Sequence, residues 1–185
     1  MVNLQGDSMR HSVFTKSLGL FFLLVSMAWA HGPTPQKADE SITVNAGVDK
    51  VWDLVKDFAG LVNWHPDVKS SQGDGKLASG GVRTLVLQNG GELQEELDFY
   101  SEQDHEYIYR LKKENTAAFP VSSYSINLKV APAEQANQSV VTLKGRFYRG
   151  DTGNTPADNQ NDAAAVKAMT AFLKNGLANL QKKFP

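Results

Sequence analysis

The chain runs to 185 residues, with 19 Lys and Arg against 20 Asp and Glu and no cysteine. That near balance supplies no basic footprint for nucleic acid or for an anionic membrane surface. The lack of cysteine excludes disulfides and an anchor built on an acylated cysteine, so the fold rests on packing.

The first element in chain order is an export signal. Arg10 and Lys16 precede the apolar run LGLFFLLVSM, Leu18 to Met27, and Ala28-Trp29-Ala30 has the small-x-small pattern of a cleavage site. The run is about half of the ~20 apolar residues that a spanning helix requires. Residues 1–30 are therefore read as a signal peptide removed after Ala30, leaving no membrane anchor and implying a periplasmic protein. Residues 31–185 make one domain's length and carry 17 basic and 19 acidic side chains, a formal charge of −2.

HGPTPQKAD, residues 31–39, has two prolines and no apolar periodicity and is predicted to be a flexible lead-in. SITVNA, residues 41–46, alternates as a strand does. Val48, Val51, Trp52, Leu54, Val55 and Phe58 then recur at helical spacing, and a second short helical turn ends at Pro66. From Val68 onward period-two segments follow one another: DVKSSQ, VRTLVLQ, ELQEELDFY, EYIYRLKKE, SSYSINLKVA and SVVTLKGRFYRG. Asn89-Gly90-Gly91 between the second and third of these is a hairpin signal, since Asn and Gly accept positive φ.

After the loop DTGNTPADNQN, the residues Val166, Met169, Phe172, Leu173, Leu177, Leu180 and Phe184 trace one face of a long closing helix, with Asp162 as its expected N-cap. That helix needs a surface to cover its apolar face, and an antiparallel sheet with one apolar face needs a cover. The order of elements predicts an α+β helix-grip fold, a curved antiparallel sheet of about seven strands wrapped around the last helix. Two short helices follow the first strand.

Leu93, Glu95, Leu97 and Phe99 share one strand face, which sets Glu95 among apolar neighbours. A hairpin turning at Gly90 puts Leu85 opposite Glu95 and Arg83 opposite Leu97, leaving Arg83 and Glu95 as diagonal neighbours. Tyr107 and Tyr109 share a face of the next strand, and Tyr124 lies on a face of the one after it. One reading is an apolar cavity with a few convergent polar groups, whose ligand-binding set is His65, Arg83, Glu95, Tyr109 and Tyr124, with His65 at the mouth. The other is structural. Arg83 and Glu95 then staple the sheet, the tyrosines bury their rings, and His65 fixes a corner, with Trp64 packed beneath the sheet edge and Pro66 ending the helix. No catalytic residue is assigned.

No metal or other cofactor is expected. There is no HxH or HExxH, the acidic loop lacks calcium-loop spacing, and a copper site at His31 requires a second histidine beside it.

The segments VWDLVKDFAGLVNWHP, GGVRTLVLQNGGELQEELDFY and YIYRL, the stretch Pro120 to Tyr124 and the closing FLKNGLANLQKKF carry a resemblance over residues 40–184. They resemble the polyketide cyclase/dehydrase and lipid-transport family of the START-like, SRPBCC superfamily. With the export signal, the likeness extends to MxaD-like accessory proteins of bacterial methanol oxidation. It implies a START-like domain over residues 40–185 with a non-catalytic accessory or binding role. A small apolar ligand and methanol dehydrogenase with its cytochrome are the implied partners. The alternatives are a carrier of a small apolar ligand, or a cyclase or dehydratase using His65, Arg83, Glu95 and the tyrosines.

Overall fold

A computed structural model describes residues 1–2 and 32–185, and every regular element among these lies in the unit His31–Pro185. Residues 3–30 of the predicted signal peptide, with its cleavage site, and His31 fall outside the described residues. The elements are β1 (Gln36–Val44), α1 (Val48–Val55), a 3-10 helix (Phe58–Asn63), β2 (Val68–Gly73), β3 (Val82–Leu87), β4 (Glu92–Ser101), β5 (Glu106–Lys113), β6 (Val121–Pro132), β7 (Ser139–Arg149) and α2 (Asp162–Lys182).

All seven strands form one antiparallel sheet in the order β1-β7-β6-β5-β4-β3-β2. Hairpins join β2 through β7 in sequence, and the helical segment after β1 carries the chain from one edge of the sheet to the other. α2 lies across β1 and β7. Leu85, Leu97, Ile126, Leu128 and Leu143 from the sheet, and Met169, Leu173, Leu177 and Leu180 from α2, are almost fully buried. This is the helix-grip arrangement that the element order predicts.

Four local expectations are corrected. β1 begins at Gln36, so its ladder with β7 takes in Gln36–Asp39 of the expected lead-in, from Gln36 opposite Phe147 to Val44 opposite Ser139. Only Ala38 of those four residues is buried, which left no apolar alternation to read. The cap of α2 is Asn161, whose side chain accepts from the Ala164 N–H at 2.9 Å, while Asp162 is engaged by Arg149 at 3.2 Å.

The β3–β4 hairpin is centred on Asn89, not Gly90. The Leu87 N–H bonds to the Gly91 carbonyl, leaving a three-residue loop with Gly90 at φ +85. Arg83 therefore stands directly opposite Glu95, and Leu85 opposite Leu93. Finally, a bulge between Leu97 and Phe99 turns Phe99 out of the apolar face, where it is 43% exposed.

The corner Trp64-His65-Pro66 is wedged beneath α2. Both Trp64 and His65 are 2% exposed, and a Cβ built on Gly176 of α2 falls 2.7 Å from His65 Cδ2 and 3.1 Å from Trp64 Cζ3. Alanine is favoured over glycine in a helix by about 1 kcal/mol, but overpacking a closed contact costs roughly 1–3 kcal/mol. His65 is hydrogen-bonded on both sides and has no easy retreat, so the steric term wins. Gly176→Ala is expected to lower the urea midpoint; an unchanged or raised midpoint would show that helix and corner are not in close contact.

Candidate functional site

The corrected register brings Arg83 and Glu95 together on adjacent strands at the inner face of the sheet, 1% and 0% exposed. Arg83 Nε donates to Glu95 Oε2 at 2.5 Å, and Arg83 Nη1 donates to the Phe58 carbonyl at 2.7 Å. Across β5, the Tyr124 hydroxyl of β6 donates to the other carboxylate oxygen, Glu95 Oε1, at 2.5 Å. The guanidinium is held between two rings, 4.1 Å from the centroid of Phe58 and 4.6 Å from that of Tyr109. Its Nη2 has no protein partner among the described residues.

The electrostatics follow from this packing. Burial opposes the charge of Arg83, but the Glu95 carboxylate beside it outweighs that effect and holds the guanidinium's pKa above its ordinary value. Tyr109 and Tyr124 are raised well above the usual phenol range by burial and then by Glu95; Tyr107 is pushed up to about 12, mainly by burial. The phenols therefore stay protonated at neutral pH. That suits Tyr124, which donates to Glu95.

Four of the five predicted residues, Arg83, Glu95, Tyr109 and Tyr124, thus form one cluster. His65 belongs to a different contact. Its ring stacks on Phe172 with centroids 3.9 Å apart, Nε2–H donates to the Phe172 carbonyl at 2.9 Å, and Nδ1 accepts from the Asp67 N–H at 3.3 Å. These bonds fix the neutral tautomer, and burial lowers the pKa from 6.5 to about 4.

A chain of rings links the two parts: Phe172 to Phe119 at 5.6 Å, and Phe119 to Tyr124 at 6.3 Å. Phe119 and Phe172 also line a pocket of about 290 Å³ between the β3–β4 hairpin, the segment leading into β6 and α2. Leu87, Ala118, Ala168 and Ala171 supply further apolar wall, and Asp67, Gln88 and Asn89 supply polar groups. His65 lies behind Phe172 instead of standing at the mouth. Three pockets among the described residues are lined by residues other than Arg83, Glu95, Tyr109 and Tyr124.

Two contributors carried no signal of their role. Phe58 is readable as an apolar helical position, but side-chain spacing is blind both to its backbone carbonyl and to the stacking of its ring on Arg83. Phe119 sits in an irregular segment, where neither period applies.

A family model described as polyketide cyclase/dehydrase and lipid transport matches residues 35–185. No curated protein matches the sequence. Among solved structures, a putative uncharacterized protein from Bacillus thuringiensis is 27% identical with a TM-score of 0.66, over 80% of this chain and 98% of that one. The protein XoxI from Bacillus cereus is 28% identical with a TM-score of 0.66, over 80% of this chain and 94% of that one. The di-domain ARO/CYC BexL, at 19% identity and a TM-score of 0.63, shares the fold over 80% of this chain and 45% of its own length.

Removing one member of a buried pair leaves the other charge uncompensated and costs about 3–5 kcal/mol, whereas replacing both by apolar groups is much milder. Arg83→Met and Glu95→Leu are each expected to destabilise by that order, and the double variant by well under the sum. Additive losses in urea titration would show that the two groups are not coupled.

His65 predicts a pH dependence. Its folded pKa is depressed, so below pH 6.5 the unfolded chain takes up a proton that the folded chain refuses until about pH 4. Stability is complete above pH 6.5, falls by about 3 kcal/mol as pH drops to 4, and levels off below that. His65→Gln is expected to remove this component from a urea titration repeated across that range; an unchanged pH profile would contradict the assignment.

Proposed function

The chain belongs to the polyketide cyclase/dehydrase and lipid transport family, and we propose that within it this protein binds or assists and performs no chemistry of its own. The observation that carries this reading is the saturation of its candidate acid and base groups. Both oxygens of Glu95 are held by Arg83 and Tyr124, and both nitrogens of His65 by Phe172 and Asp67. General acid–base catalysis needs such a group within reach of a substrate proton. Here each is turned to a protein partner.

The pocket in front of Phe119 and Phe172 supports a small apolar ligand. Its volume of about 290 Å³ lies at the lower end for small-molecule sites, with apolar walls and few polar groups. Arg83, Glu95, Tyr109 and Tyr124 form the layer behind Phe119, and His65 the layer behind Phe172. In this reading the five residues shape the ligand site from behind by fixing the two rings.

The working place proposed is the periplasm, reached through cleavage after Ala30. The task proposed there is assistance to methanol oxidation, in the passage of electrons from methanol dehydrogenase to its cytochrome. The likeness to XoxI at 28% identity and the resemblance to MxaD-like proteins support that direction. The second reading, a carrier of an apolar molecule, is favoured by the pocket itself.

Native mass spectrometry of protein purified from the periplasmic fraction tests the binding reading. The expected result is a chain beginning at His31 with a retained small apolar mass, which is lost in Ala171→Trp because the indole fills the pocket. Reduction of the cytochrome by methanol dehydrogenase is expected to quicken with wild type, and equally with His65→Gln. A loss of about a hundredfold with stability intact, some 2.7 kcal/mol in rate, would instead make His65 part of a mechanism.

A further inference from the structure

The face of the sheet turned away from α2 holds a trough of about 630 Å³ across β1, β7, β6 and β5. Strand alternation dictates what lines it. Gly145, Leu143 and Phe147 of β7 face inward, with Gly145 against Leu173 and Met169, so Lys144 and Arg146 face out. In the same way Lys37 and Asp39 of β1, and Ser125, Asn127 and Lys129 of β6, reach the trough.

Four cationic side chains meet two carboxylates there. Glu106 is bonded by Lys129 at 3.0 Å and by the Asn127 amide, and Asp39 stands opposite Lys144 in the register. Despite that register, Lys144 has no carboxylate within 4.0 Å among the described residues, and the same holds for Lys37 and Arg146, which are directly opposite each other across β1 and β7 and both exposed. Like charges in directly opposed positions destabilise a sheet, so the pair has no structural benefit of its own. Ser125 stands opposite Arg146 on the other side, in β6.

We propose that Lys37, Arg146 and Ser125, with Lys144 beside them, bind a small anion bearing two or more carboxylate or phosphate groups. The arginine fork pairs such a group bidentately, Lys37 neutralises it, and the Ser125 hydroxyl donates to it. Asp39 repels an anion centred on its own row, so the first anionic group seats at the Lys37–Arg146 row; Lys144, opposite Asp39 and without a carboxylate within 4.0 Å among the described residues, offsets that repulsion for a second group. The volume is that of a small-molecule site. The near-neutral chain as a whole gives no general attraction for polyanions, so the binding is local to this face.

The test is titration of the protein with citrate and with inorganic pyrophosphate at constant ionic strength, followed by calorimetry and by amide NMR shifts. Saturable binding is expected, with shifts centred on Lys37, Ser125 and Arg146. Tighter citrate binding assigns a carboxylate ligand, and tighter pyrophosphate binding a phosphate ligand. The combined change Lys37→Gln and Arg146→Gln should weaken binding about tenfold or more, whereas Lys112→Gln, elsewhere on the outer face, should not. Because the double change relieves like-charge repulsion, its urea midpoint should equal or exceed that of wild type, which separates lost binding from lost folding. Absence of saturation with both probes, equal affinity in the double variant, or binding only to a polyglutamate chain would overturn the proposal.

Discussion

A guanidinium and a carboxylate placed inside a sheet have to satisfy each other. At 1% and 0% exposure, Arg83 and Glu95 receive almost nothing from solvent, and every other contact of the central layer is arranged around that fact. The three-residue hairpin loop sets them opposite each other; one residue more or fewer would turn one of them to the outer face. Tyr124 takes the remaining carboxylate oxygen, and the Phe58 carbonyl takes a second guanidinium nitrogen. The last bond ties the 3-10 segment to the sheet. The Trp64-His65 corner follows that segment directly, so the pair also bears on where α2 is seated.

This closure shapes the reading of function. A family whose members share a fold need not share chemistry, and the local groups decide. Here Glu95 and His65 are already engaged inside the protein. Two surfaces that remain open among the described residues are of different kinds. One is an apolar pocket at the rim, walled by rings that rest on the buried layer; the other is a charged trough on the opposite face of the sheet, where two cations meet without a counter-charge. The binding role rests on the first, and the anion site on the second alone.

Much of this was legible in the sequence, and for physical reasons. Period-two alternation and helical spacing show where side chains must go to bury apolar surface, so all ten elements and the inward direction of Arg83, Glu95 and Tyr124 could be read. Register was less legible: Asn89-Gly90-Gly91 announces a turn, but hairpins centred on Asn89 and on Gly90 both accept that sequence, and the pairing of Arg83 with Glu95 selects the first. Asn161 and Asp162 are equally able caps, and the choice is made by Arg149, distant in sequence. Gly176 carries no signal in the sequence beyond the weakness of glycine inside a helix. Its role appears only when His65 is placed beneath it, 111 positions earlier in the chain.

Arg83 is locked in a closed interior and does not face a solvent-filled cavity. Hydrogen exchange at the Arg83 side-chain Nε, followed by nitrogen-15 NMR of the intact protein, measures this directly. A separate resonance is expected, with a proton that exchanges as slowly as the most protected amides of β3 and β4, because only global opening frees it. Exchange at the rate of an exposed arginine, with those amides still protected, would contradict it.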